Sequence, residues 1–191
     1  MLIFSGNSNL PLAKKVANSL GLGLGDLEIH TFPDNENRVR VIDGVLGEDV
    51  VLIQSTGILP NLYYIELFLI IDSLKRSGAK SIALVIPYLG YQRQDHIFRE
   101  GEAVSLEVII KILEELGVSS VISFDLHSIK IPQLFHVPVT HLSALPIFAE
   151  RIKALSARGP AFSVPPASAR SRNTDLRAVG SPSTDTTPKL S

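Results

Sequence analysis

Three short polar segments carry the residues best suited to chemistry, and each follows an apolar, strand-like run. The segments are Phe32-Pro33-Asp34-Asn35-Glu36, Arg93-Gln94-Asp95 and Asp125-Leu126-His127. Arginine makes paired hydrogen bonds to phosphate oxygens, and carboxylate or imidazole groups bind divalent cations or the waters around them. Together, the three segments predict a phosphate site that is assisted by a cation.

The third segment follows residues 118–124, an apolar run that predicts a buried strand. If the strand geometry continues, the side chains of Asp125 and His127 point the same way and can share one divalent cation. The alternative is a pair of side chains that hydrogen-bond to the next loop. Position alone leaves both hypotheses open.

The other two segments also have plain alternatives. Arg93 lies among many ionic residues, which a solvated loop explains as well as a phosphate site does. Pro33 and Asp34 form turns readily. The first segment nevertheless offers more than a turn requires, because Phe32 provides a stacking face and Asp34 and Glu36 can accept hydrogen bonds from an exocyclic amine such as that of adenine. The sequence contains neither a Walker-type phosphate loop nor a nucleophile elbow.

The elements that must position these segments alternate between strand-like and helix-like patterns. Strands are predicted at residues 1–4, 27–31, 38–42, 50–54, 81–86 and 118–124, and helices at residues 9–20, 60–77 and 103–116. Apolar strands joined by helices are typical of a parallel sheet covered on both faces, which binds ligands beyond the carboxyl ends of its strands. We therefore predict a doubly wound α/β fold with the site at that edge.

Composition limits the classes of function. The 191 residues suit one domain plus a remnant, and 18 basic against 19 acidic residues give no reason to expect nucleic acid or an anionic membrane as a partner. The chain contains no cysteine, which excludes thiolate chemistry and fits a cytoplasmic location. The most apolar run, residues 62–74, is too short to span a bilayer and contains Glu66 and Asp72, so it predicts a buried helix.

The character of the sequence changes after about residue 154. Residues 156–191 are rich in Ser, Pro, Arg and Thr, with one aromatic residue, Phe162, and no apolar run. This composition predicts a disordered tail. A natural flexible tail, a premature stop and out-of-frame translation would all produce it, and the sequence does not decide among them.

Five segments, taken together and in order, resemble the ribose-phosphate pyrophosphokinase (phosphoribosyl diphosphate synthase) family. They are Phe4-Ser5-Gly6-Asn7, Phe32-Pro33-Asp34-Asn35-Glu36, Gln54-Ser55-Thr56, Pro87-Tyr88-Leu89-Gly90-Tyr91-Gln92-Arg93-Gln94-Asp95 and Asp125-Leu126-His127-Ser128. The resemblance covers about residues 1–155. It implies the amino-terminal one of the family's two phosphoribosyltransferase-like domains.

This resemblance implies transfer of diphosphate from ATP to ribose 5-phosphate with Mg²⁺, which gives phosphoribosyl diphosphate and AMP. The implied ATP-binding residues are Phe32, Asp34, Glu36, Arg93, Gln94 and Asp95, and the implied magnesium residues are Asp125 and His127. The first three would hold adenine across a subunit interface of a homo-oligomer. Arg93 and Gln94 would contact the ATP phosphates.

Departures from the family pattern affect both the cation site and catalysis. Ile129-Lys130-Ile131 follows Ser128 in place of a Gln-rich stretch, and Thr140 stands where the family often has an acid. The family's ribose 5-phosphate loop and catalytic flap belong to its second domain and have no counterpart in this sequence. We therefore expect a truncated form with impaired or no independent activity and assign no catalytic residue. The alternatives are a non-catalytic regulatory partner of a full-length synthase and a free-standing ATP-binding module.

Overall fold

The structure, a computed structural model, describes residues 1–156, and its elements alternate as the sequence predicts. The strands are β1 (Leu2–Ser5), β2 (Leu27–Thr31), β3 (Asn37–Val41), β4 (Asp49–Ile53), β5 (Ser81–Ile86), β6 (Ser120–Phe124) and β7 (Val139–Leu142). The helices are α1 (Leu10–Ser19), α2 (Pro60–Arg76), α3 (Ser105–Glu115) and α4 (Leu145–Ser156). Every predicted element is present, with ends that shift by at most two residues. No sequence pattern predicted β7 or α4.

Five strands form one parallel sheet in the order β1-β4-β5-β6-β7. Neighbouring parallel strands need long crossover connections, and α2 and α3 supply two of them. Strands β2 and β3 form a separate antiparallel hairpin in which Leu27 pairs with Val41 and Thr31 with Asn37. The predicted α/β class with a mostly parallel sheet is confirmed. The two hairpin strands are the exception, since they lie outside that sheet.

Apolar side chains cover both faces of the sheet. On one face, Phe4 and Leu52 are fully buried in a cluster that includes α2 and α3. On the other face, Ile3 and Ile53 pack with Ala13 of α1. Because helices shield both faces, polar side chains collect where the strands end.

Helices α1 and α2 begin and end at residues suited to those positions. The Asn9 side chain accepts a backbone hydrogen bond in the first turn of α1, and Pro60 occupies the first position of α2. Lys75 and Arg76 lie in the last turn of α2, where cations favour the helix dipole. Gly78 follows with a φ of 88°, a left-handed conformation that glycine adopts without strain.

Residues 1–148 form one compact unit, and a second unit begins at Ala149. Of the tail predicted for residues 156–191, the structure describes only Ser156, where α4 ends. The prediction that the tail is disordered therefore lies outside the described residues. No helix within residues 1–156 has the length and apolar character needed to cross a membrane.

Candidate functional site

The carboxyl ends of four strands bring polar segments to one edge of the sheet. Residues 6–8 follow β1 and residues 54–56 follow β4. Residues 87–104, here named the Arg93 loop, follow β5, and residues 125–130, the Asp125 loop, follow β6. All four segments leave the sheet in the same direction because the strands are parallel. Open α/β sheets bind ligands at this edge.

The Arg93 loop is anchored to the sheet through buried residues. The Thr56 hydroxyl donates to the carbonyl of Tyr88 at 3.0 Å and accepts the N–H of Gly90 at 2.8 Å. The Tyr64 hydroxyl donates to the carbonyl of Gly90 at 2.9 Å, and burial raises the pKa of Tyr64, which keeps this donor protonated. A Cβ on Gly90 would lie 2.5 Å from the carbonyl oxygen of Thr56. The start of the loop is therefore tightly fixed.

Arg93 extends into solvent from a backbone that is held on both sides. Tyr91 turns the chain with a φ of 61°, and its carbonyl accepts the N–H of Gln94 at 2.8 Å. The carbonyl of Gln94 accepts the N–H of Leu106, in the first turn of α3, at 3.2 Å. Within residues 1–156, the guanidinium of Arg93 forms no hydrogen bond or ion pair. An exposed guanidinium on a fixed backbone is well suited to phosphate oxygens.

Gln92 joins the Arg93 loop to the Asp125 loop. Its side chain is 6% exposed, and its Oε1 accepts the backbone N–H of His127 at 2.8 Å. The side chain of His127 stays exposed. Arg93 and His127 therefore lie on two loops that are joined by a hydrogen bond.

Asp95 lies in the same cluster. Its Oδ1 is 2.6 Å from the Nδ1 of His96, and this hydrogen bond is the largest cause that lowers the pKa of Asp95 below its ordinary value. A smaller contribution in the same direction comes from the charge of His127.

Asp125 departs from the strand geometry on which the predicted cation pair was based. Strand β6 ends at Phe124, and Asp125 has a φ of 43°. Its Oδ1 accepts the hydroxyl of Ser143 at 3.0 Å and the N–H of Ala144 at 3.3 Å. For Asp125, though not for the side chain of His127, these match the bonds to the next loop that the alternative described. The condition of continued strand geometry is therefore not met at Asp125, and the cation assignment stays a prediction.

The Phe32 segment forms the tip of the β2-β3 hairpin, residues 32–36. The Phe32 side chain is 38% exposed, and its ring meets the ring of His30 edge-on with centroids 4.8 Å apart. Asp34 accepts the N–H of Glu36 at 3.2 Å, as in a plain turn. Among the described residues, no hydrogen bond or ion pair joins this tip to the Arg93 loop. Within the described part of one chain, the residues predicted to bind adenine are therefore not bonded to the loop that contains the residues predicted to bind phosphate.

A buried carboxylate lies beneath the site edge and was not predicted as a site residue. Glu66 of α2 is 3% exposed and accepts the backbone and side-chain nitrogens of Asn7 at 2.7 and 3.0 Å. It also accepts the side-chain amide of Gln54 at 2.9 Å. A Cβ on Gly6 would lie 2.7 Å from Glu66. The signal in the sequence was an acid within an apolar run, since a buried charge requires hydrogen-bond partners.

Residues 1–117 match the family model described as the N-terminal domain of ribose phosphate pyrophosphokinase. This chain belongs to the ribose-phosphate pyrophosphokinase family. The match covers more than half of the 191 residues. It includes the hairpin tip and the Arg93 loop of this family member and ends before the Asp125 loop.

Individual relatives carry the same family name. The ribose-phosphate pyrophosphokinase of Fusobacterium nucleatum is 41% identical over 157 residues, which are 82% of this chain and 50% of the relative. That of Thermotoga maritima is 42% identical over 152 residues, which are 80% of this chain and 48% of the relative. The chain therefore spans about half the length of the curated relatives it matches.

A solved structure supports the same fold. The phosphoribosylpyrophosphate synthetase of Mycobacterium smegmatis matches with a TM-score of 0.79 and 30% sequence identity. The match covers 82% of this chain and 53% of that one. The ribose-phosphate pyrophosphokinase resemblance predicted from the sequence is thereby confirmed, and the family is one of enzymes.

Proposed function

We propose that this chain binds ATP with magnesium as the amino-terminal half of a ribose-phosphate pyrophosphokinase. The whole enzyme would transfer diphosphate from ATP to ribose 5-phosphate and release phosphoribosyl diphosphate and AMP. The exposed guanidinium of Arg93 carries the proposal, because it has no partner within the described residues and stands on a loop bonded to His127. We further propose that the 191-residue polypeptide alone binds nucleotide without catalysing the transfer.

Arg93 and Gln94 would contact the phosphates of ATP. Transfer of a phosphoryl or diphosphoryl group depends mainly on positioning and on neutralising charge, and a guanidinium serves both purposes. An aspartate is already ionised at neutral pH with an ordinary pKa, and the hydrogen bond with His96 lowers the pKa of Asp95 further. Its negative charge favours a cation beside the phosphates.

The side chains of the Asp125 loop fit magnesium that is held mainly by the nucleotide. Within residues 1–156, no three His, Asp or Glu side chains gather around a common point. Mg²⁺ commonly keeps several waters and takes only one or two protein carboxylates together with substrate phosphates. Asp125 and His127 form such a sparse set, in which the imidazole would contact a metal-bound water. Magnesium would neutralise phosphate charge when bound.

The hairpin tip would hold adenine bound at the edge of a neighbouring subunit. Phe32 offers a partly exposed ring, and the side chains of Asp34 and Glu36 are both exposed. Within the described residues, the tip has no bond to the Arg93 loop of its own chain. We propose a homo-oligomer in which one subunit supplies the tip and another supplies the phosphate residues.

A second candidate function is that of a non-catalytic partner of a complete synthase. The observation that favours it is the Asp125 carboxylate, which already accepts hydrogen bonds from Ser143 and Ala144. A cation would have to share that carboxylate with the next loop. Either function fits a cytoplasmic location, which the lack of cysteine supports.

The test is a calorimetric titration of the 191-residue polypeptide with a non-hydrolysable ATP analogue, with and without Mg²⁺. An assay for AMP release with ATP and ribose 5-phosphate follows on the same preparation. We expect magnesium-dependent binding and no AMP. Absence of binding would contradict the nucleotide site, and AMP release would contradict the lack of independent activity. Co-assembly with a complete synthase, without nucleotide binding, would favour the second candidate.

A further inference from the structure

We propose that Gln92 is a positioning residue that fixes His127 relative to Arg93 and so couples magnesium binding to phosphate binding. The inference rests on the proposed nucleotide site. It adds to that site a buried side chain that acts through the backbone of another residue. The family resemblance assigns no role to Gln92.

The contact between the two loops is specific. Gln92 directly precedes Arg93 in the chain, and its Oε1 lies 2.8 Å from the backbone nitrogen of His127. Among the described residues, this is the one hydrogen bond that joins the Arg93 loop to the Asp125 loop. The amide holds the backbone of His127 and leaves the imidazole exposed for a ligand.

The two partners of this bond differ in how firmly they are otherwise held. Gln92 sits between Gly90, which is fixed by Thr56 and Tyr64, and Gln94, whose backbone is bonded on both sides. His127 is the less firmly held partner. Its neighbour Leu126 donates its N–H to the Nε2 of His141, which follows in β7. Without Gln92, the remaining long-range hydrogen bonds of residues 125–127 would all come from the β7 side, at residues 141–144.

Backbone strain lies on both sides of the bond. Tyr91 has a φ of 61° and Asp125 a φ of 43°, values that non-glycine residues adopt only when the surrounding structure holds them. Gln92 directly follows the first strained residue, and His127 lies two residues after the second. The bond therefore connects two turns that each contain a residue in the left-handed region.

The inference predicts a selective loss of magnesium dependence. In Gln92→Leu, the acceptor disappears while the side-chain volume changes little, so Arg93 keeps its place and His127 does not. We expect the affinity for a non-hydrolysable ATP analogue in saturating Mg²⁺ to fall about fivefold, the equivalent of one ordinary hydrogen bond. The affinity without Mg²⁺ should stay within about twofold of wild type, because Arg93 is untouched.

Matched variants separate positioning from general damage. Gln133→Leu makes the same change at an exposed position outside the site and should leave both affinities unchanged. Gln92→Asn withdraws the acceptor by one methylene and should reproduce the loss if the leucine variant does not fold. Equal weakening with and without Mg²⁺ in the folded variants would show a structural role and overturn the inference.

A double-mutant cycle with His127→Ala tests whether Gln92 acts through His127. Once the imidazole is gone, Gln92→Leu should cause no further loss of magnesium enhancement. Additive losses would overturn the inference. If wild type binds the analogue with magnesium enhancement and Gln92→Leu behaves like wild type, the inference fails and the proposed function stands. If wild type binds nothing, the proposed function fails and the inference fails with it.

Discussion

The hairpin tip and the Arg93 loop are both exposed segments with predicted nucleotide contacts, but they are held in opposite ways. In the tip, the N–H of Phe32 donates to the carbonyl of Glu36 at 2.8 Å. The other hydrogen bonds of the tip also join residues that are close together in the chain. The Arg93 loop depends on Thr56, Tyr64 and His127, each about 25 to 35 residues away in the chain. Among the described residues, the hydrogen bonds of the tip are therefore all local, whereas the loop combines local bonds with bonds to residues that are distant in the chain.

This difference has a practical consequence. A change at the surface of the tip should alter binding and spare stability. A change beneath the Arg93 loop should lower stability first and disturb binding as a result.

The largest effect is expected from Gly90→Ala, which places a Cβ 2.5 Å from the carbonyl oxygen of Thr56. The backbone of one residue must move, and we expect the free energy of unfolding to fall by about 3 kcal/mol. Urea denaturation measures it. Gly23→Ala is the matched control, because a Cβ there meets nothing within 4 Å. Equal stability of the two variants would show that the loop is not anchored through this contact.

Arg93→Ala should weaken binding of the ATP analogue about thirtyfold, since a charge-assisted hydrogen bond contributes about 2 kcal/mol. The free energy of unfolding should not change, because the guanidinium is exposed and has no partner within residues 1–156. Calorimetry and urea denaturation measure the two quantities. Arg99→Ala, an exposed change in the same loop, is the control. Unchanged affinity in a folded Arg93→Ala variant would remove Arg93 from the site.

Local sequence patterns were sufficient for the elements of the core and for the turn at the hairpin tip. Helix α2 starts at a proline, Pro60, and is followed by a glycine, Gly78, while strand β5 is a short apolar run. Asp34 and Asn35 form the tip through bonds to their own neighbours. Structure that is determined by neighbouring residues can therefore be predicted from the local sequence.

The features that the sequence did not predict depend on contacts between residues that are distant in the chain. Glu66 is satisfied by Asn7, which is 59 residues away, and Gln92 bonds to His127, which is 35 residues away. The turn at Asp125 is stabilised by Ser143, in a region with no predicted element. No periodicity along the chain encodes these pairs, so the shape of the Asp125 loop could not be predicted from one sequence.

Phe32→Ala should leave the free energy of unfolding within about 0.5 kcal/mol of wild type, because the ring is partly exposed and the tip is held by backbone hydrogen bonds. Affinity for the ATP analogue should nevertheless fall if the ring stacks on adenine. Urea denaturation and calorimetry on the same variant measure both. A large loss of stability would mean that the tip, like the Arg93 loop, is part of the folded core.

Mixing the Phe32→Ala and Arg93→Ala variants tests whether the tip acts across a subunit interface. A mixed oligomer would contain some sites that combine an intact tip from one subunit with an intact Arg93 from another. Binding should then partly recover, although neither variant binds well by itself. If the tip serves the site of its own chain, no recovery will occur.

The smallest effect concerns acid sensitivity in the Arg93 loop. Hydrogen bonding with His96 lowers the pKa of Asp95 below its ordinary value of 3.8, so the folded state binds this proton less readily than the unfolded state does. Asp95 therefore stabilises the fold above that ordinary pKa, and the contribution is lost as pH falls through the lowered pKa.

We expect the free energy of unfolding to fall less in His96→Ala than in wild type as the pH is lowered from about 5 to about 2. Urea denaturation at each pH measures this fall. The difference should be small, because the His96 side chain is 60% exposed. Identical pH profiles would show that the bond adds nothing to folding. A measurable difference would show that the Arg93 loop also has a local stabilising contact, of the kind that dominates the hairpin tip, in addition to its anchors in the interior.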